Sequence, residues 1–160
     1  MDRRALLMGG VGIAAVAALI GAGLFLSRGE RVILQGHVQK VRVQAIDEKT
    51  TAVILDFRAT NPANYASMIG EVRVEIDTND SKTLIGSAVA DIDAERFIAA
   101  NPLLGPKYNR SLVTHERIPP RQTVDRMIAA RFDATEAEIN ARKKIRIRIT
   151  DVDGPVSVIE

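Results

Sequence analysis

The chain contains no cysteine, which excludes disulfides, thiolate metal sites, cysteine nucleophiles and lipidation of an N-terminal cysteine, and leaves the redox compartment open. Tryptophan is absent and tyrosine occurs only at Tyr65 and Tyr108, so there is no aromatic platform on which nucleic-acid bases would stack. Excess charge is also missing: a formal net charge of +2 makes too weak a field for nucleic acid to be a principal partner. His37 and His115 are the only histidines, and neither has a carboxylate or hydroxyl at a spacing that suggests a triad or a metal site. No nucleophile elbow, phosphate loop or dinucleotide glycine motif occurs. These absences predict a protein that is not an enzyme and needs no cofactor or metal.

What the chain does have is one uncharged apolar run, Ala5 to Leu26, of 22 residues. At about 1.5 Å per residue it is long enough to span a bilayer core of about 30 Å. Arg3 and Arg4 precede it, so residues 1–30 read as a signal anchor with a short cytoplasmic start, and residues 31–160 as a module on the periplasmic or extracytoplasmic side. Arg28 and Arg31 pull against that orientation. A cleaved signal peptide is the competing reading, but the small-x-small triplet Ala15-Val16-Ala17 lies inside the run. Gly10, Ala14, Ala18 and Ala22 recur every fourth residue, which would leave one helix face smooth enough for another transmembrane helix to pack closely.

Beyond the run the period changes to two. Val53, Leu55, Phe57 and Ala59 fall on one face of a strand, and Asp56, Arg58 and Thr60 on the other; Val72, Val74 and Ile76 alternate with Glu71, Arg73, Glu75 and Asp77. Both read as half-buried antiparallel strands. Between them lies Asn61-Pro62-Ala63-Asn64, where Pro62 has no N–H for a ladder and the Asn61 side chain is placed to bond the turn, a contribution of about 1 kcal/mol.

An apolar strand ending in Asn-Pro-x-Asn and followed by xVxVxI resembles the late embryogenesis abundant type 2 family, also called the WHy domain. Gly86 after a polar turn, Ile118-Pro119, and the Ile145, Ile147, Ile149 strand extend the resemblance over residues 36–160. It implies a small antiparallel Ig-like or fibronectin-III-like β-sandwich, tethered or exported, linked with stress and desiccation tolerance and without catalysis. Residues 91–117 depart from the family as a long insertion.

Further strands are predicted over Val38 to Ala45, Thr83 to Ala90, Thr123 to Phe132, Lys144 to Asp151 and Val156 to Glu160, with the first four strands forming a meander. In Thr123 to Phe132 Arg126 is the misfit, and the run also fits a helix. Asp93 is placed to cap a short helix over Ala94 to Ala100, and Thr135 with Glu138 makes a capping box for a helix to Arg142. Asp91, Asp93 and Glu95, or Asp151 and Asp153, alternate oxygen donors as calcium ligands do, but too few for a calcium loop; a helix cap and a turn explain them. Lys144, Arg146 and Arg148 form a basic stripe, suited to an anionic surface or to pairing across strands with Glu71, Glu75 and Asp77. Two function classes follow. One is a stress-protection or envelope-associated domain whose groove and long loop meet a lipid or other apolar ligand. The other is a single-pass accessory subunit of a larger integral membrane complex, respiratory or photosynthetic, packed against other transmembrane subunits.

Overall fold

Alternating apolar and polar side chains set strands β1 (Gln35–Ala45), β2 (Thr51–Thr60), β3 (Ser67–Asp77), β4 (Thr83–Ala88), β6 (Thr123–Phe132), β7 (Lys144–Asp151) and β8 (Val156–Ile159), with a two-residue β5 at Arg117–Ile118. The structure, a computed structural model, describes residues 32–89 and 91–160. The run Ala5 to Leu26, including Gly10, Ala14, Ala18 and Ala22, lies outside the described residues; within them no helix is long and apolar enough to cross a membrane. Helix α1 (Asp91–Ala100) begins earlier than predicted, so Asp93 lies in its first turn, 3.9 Å from Arg96, and does not cap it. A 3-10 turn follows at Pro102–Leu104. Helix α2 (Glu136–Asn140) has the predicted capping box: Thr135 Oγ1 accepts from the Glu138 N–H and Glu138 Oε2 from the Thr135 N–H. It ends short of Arg142.

The strands form an antiparallel sheet in the order β1-β2-β6-β4-β3-β7-β8, with β5 paired to β3. The sheet curls over on itself into a half-barrel with two facing layers. One layer is β1, β2 and β6, the other β3, β7 and β8, and β4 joins them, pairing with β3 through Thr83–Gly86 and with β6 through Ser87 and Ala88. At the far edges β8 returns to β1, where the Val38 N–H donates to the Glu160 carbonyl at 3.0 Å and the Leu34 N–H to Ser157 Oγ at 2.8 Å. The predicted meander is corrected here. β2 pairs with β6, not β3, because Pro62 ends the ladder and the chain crosses to the other layer.

Between the layers lie Val53, Leu55 and Phe57 of β2, Ile128 and Phe132 of β6, Val74 and Ile76 of β3, and Ile147 and Ile149 of β7. Each such side chain contributes about 1.5–3 kcal/mol on full burial. A Cβ on Gly86 would stand 2.5 Å from Cζ of Phe132, so glycine is what lets that buried ring lie against the β4 backbone. A second core occupies the outer face of the first layer. Ala94 and Ile98 of α1, with Leu104, cover Ala52, Ile54, Met127 and Ala129. β2 is therefore buried on both faces from Thr51 to Phe57 and is not the half-buried strand that its alternation predicts.

Candidate functional site

β4 is shared between two neighbours, and this leaves a gap. Its lower end leaves β3 to follow β6, the Val89 N–H still donating to the Ala129 carbonyl at 2.9 Å. Below that point β3 and β6 do not pair with each other. The segment 110–118 crosses the interval. On one side the Leu112 N–H donates to the Met127 carbonyl at 2.8 Å and the Met127 N–H to the Arg110 carbonyl at 2.9 Å; on the other the Ile69 N–H donates to the Glu116 carbonyl at 2.9 Å. What remains is a window of about 400 Å3 lined by Val72, Ala88, Val89, Leu112, Val113, Thr114 and Ile128. None of these side chains ionises, and Leu112 and Ile128 belong to the main core. The window thus opens onto the apolar interior.

Its lower rim is tied down by an ion pair. Arg126, the misfit of the strand pattern, donates from Nε and Nη2 to Glu116 Oε1 at 2.8 and 2.6 Å, with both side chains largely buried. The insertion 91–117 is held at a second place. Arg42 and Asp56, with side chains 7% and 5% exposed, pair at 2.8 Å; Arg42 Nη1 also donates to the carbonyls of Leu104 and Pro106, and Asn109 Nδ2 to Asp56 Oδ1. Most of the insertion is thereby a fixed cover on the first layer.

The turn motif is built around Asn61, which is 0% exposed. Its Nδ2 donates to the carbonyls of Tyr65 and Ile118 at 2.8 and 3.0 Å, and its Oδ1 accepts from the Ala63 N–H at 3.0 Å. Asn64 is peripheral, accepting on Oδ1 from Arg121, and Pro62 begins the crossing. The basic stripe is neutralised across strands: Arg146 lies 2.7 Å from Asp77 and 3.6 Å from Glu75, Arg148 3.5 Å from Glu75, and Lys144 2.5 Å from Glu160. His37 and His115 are exposed. The described residues contain no group of three or more His, Cys, Asp or Glu able to hold a metal. Asp151 is occupied by its own turn, accepting from Ser67 Oγ and from the N–H groups of Met68 and Asp153. Asp93 and Glu95 pair with Arg96 and Lys107, and the side chain of Asp91 lies outside the described part.

The side-chain hydrogen bonds from Arg58, at 2.8 Å to each carboxylate oxygen, hold Asp125 below the usual carboxylate range. Backbone N–H donation does the same for Asp47, from Lys49, and for Glu138, from Thr135.

The window escaped sequence reasoning because it exists only where β4 changes partners. Val72 was legible as a core position, whereas Leu112, Val113 and Thr114 belong to an insertion whose path has no periodic signal. No family model matches the chain, and no curated protein matches it. Among solved structures it is similar to that of an uncharacterized β-sandwich protein from Clostridium difficile 630, at 9% identity over 81% of this chain and 80% of that chain, with a TM-score of 0.37.

Proposed function

We propose that this chain is a non-enzymatic, membrane-anchored β-sandwich on the extracytoplasmic side that binds a lipid or similarly apolar ligand through the window between β3 and β6. The observation that carries this reading is the wholly non-ionisable lining, continuous with the main core. A volume of about 400 Å3 falls within the range of small-molecule sites. An apolar occupant would gain by leaving water, while the lining has no charge to desolvate. Anchoring rests on the run Ala5 to Leu26, and orientation on Arg3 and Arg4. The stress-protection role, the late embryogenesis abundant type 2 family and its Ig-like or fibronectin-III-like sandwich rest on the resemblance carried by Asn61, Pro62 and Asn64.

The test is Ala88→Phe. Ala88 lines the window and is itself exposed, so the ring enters the opening without overpacking the core. Binding of a fluorescent fatty-acid analogue should weaken about tenfold or more, while the free energy of unfolding changes by no more than about 0.5 kcal/mol. Equal affinity in the variant and the parent would place any ligand elsewhere.

A further inference from the structure

Residues 101–110, NPLLGPKYNR, form a hook whose shape is fixed from beneath and whose tip faces water. Leu104 is buried in the second core, and its carbonyl is one of the two that Arg42 holds. Gly105, at φ +73°, reverses the chain, a conformation that costs a residue with a Cβ. Asn109 fastens the far side through Asp56. As a result Leu103 projects with 85% of its surface exposed, more than any other large apolar side chain among the described residues. Tyr108, 60% exposed, follows five residues later and carries the Lys40 ammonium 4.8 Å from its ring centre. The hook contains the exposed Arg110 and no acidic residue, while its Lys107 is paired with Glu95 of α1 at 3.6 Å.

We infer that this hook docks on an anionic lipid bilayer. Leu103 enters the boundary of the acyl chains, Tyr108 sits at headgroup level with its hydroxyl in water, and Lys40 and Arg110 face anionic headgroups. The shape favours lipid over a protein partner. A protein interface of standard size requires a broad apolar core on each side, whereas the hook offers one projecting side chain on a convex turn. A bilayer accommodates a convex wedge. Because Arg42 and Asp56 hold the wedge beforehand, little chain entropy is lost on docking. The inference goes beyond the apolar window and holds whether or not the run Ala5 to Leu26 spans a membrane.

The chain has no tryptophan, so Leu103→Trp in the full chain creates a single fluorescent reporter. The protein is combined with vesicles of phosphatidylcholine, or of equal parts phosphatidylcholine and phosphatidylglycerol, and flotation is measured with emission. In the mixed vesicles Trp emission should shift to the blue and be quenched by lipids brominated on their chains. Lys40→Gln and Arg110→Gln should each reduce the lipid-contacting fraction, about fivefold in its equilibrium constant, and salt should do likewise. Ile85→Trp, on β4 at a site 62% exposed, should keep water-like emission. Flotation with unquenched, water-like emission at position 103 would overturn the hook and leave the anchor standing. Failure to float on either vesicle would overturn both. Equal quenching at positions 85 and 103 would overturn the assignment of docking to the hook.

Discussion

Asn61→Ala removes the amide that joins the β2 turn to β5. Three hydrogen bonds disappear together: two donated by Nδ2 to the carbonyls of Tyr65 and Ile118, and one accepted by Oδ1 from the Ala63 N–H. The Ile118 bond is buried, so its carbonyl carries a desolvation cost of about 1–3 kcal/mol when left without a partner. The other two are partly buried, and water can replace the amide at roughly 0.5 kcal/mol each. The expected loss is about 2–4 kcal/mol. For a chain of this size it corresponds to a fall in Tm of roughly 4–16 °C. Urea denaturation should show a lower midpoint with an unchanged slope, the signature of a native-state loss. Asn61→Asp should cost at least as much, since a carboxylate cannot donate to two carbonyls. Asn64→Ala, which removes only an exposed contact with Arg121, should cost less than about 1 kcal/mol. If Asn61→Ala loses less than about 0.5 kcal/mol, or no more than Asn64→Ala, the view of Asn61 as the joint between the layers is refuted.

Arg42→Ala should lose about 3–5 kcal/mol, because Asp56 is left as a buried charge without its cation, and limited proteolysis should then cut within residues 101–110. Restoring apolar volume on both sides, Arg42→Met with Asp56→Leu, should recover most of that loss; a double variant no better than the single one would refute the ion-pair account. The pH dependence has a definite sign. Asp47, Asp125 and Glu138 have folded values below their ordinary ones, so their stabilisation is present above the unfolded carboxylate range and is lost as pH falls through the lowered values. Denaturation midpoints should hold from neutral pH to the top of that range and fall below it, less steeply in Asp125→Asn; an equally steep fall in that variant would exclude Asp125 as a contributor.

Local features of the fold were legible because their causes are local. The capping box of Thr135 and Glu138 and the stop at Pro62 each depend on a few consecutive residues. The alternation of β3 and β7 shows its burial pattern directly, since their outer faces meet water. β2 misled because its outer face is covered by α1 and Leu104, from far along the chain. Asp56 thus looked like a solvated residue and is the buried partner of Arg42. Arg126 looked like an error in a strand for the same reason, since Glu116 arrives from the insertion to neutralise it. The Asn-Pro-Ala-Asn turn was visible, but its destination was not, because local sequence shows where a strand stops and not which strand will pair with it.

The partner switch of β4 also bears on the order of assembly. β1 with β2, β3 with β4, and β7 with β8 are neighbours in sequence and can each close quickly as a hairpin. β6 has no such companion. Its strand partners are β2, with Thr60 opposite Thr123, and the last residues of β4. Pairing β3 with β7 likewise joins Asp77 to Lys144. These distant closures reduce chain entropy before apolar burial rewards them, which places the fold among the slower small domains. β4 cannot complete its ladder until both layers are in place. A newly made chain therefore carries the unpaired end of β4, Ser87 and Ala88, as an open sheet edge until β6 arrives, the interval in which pairing with another chain competes with folding.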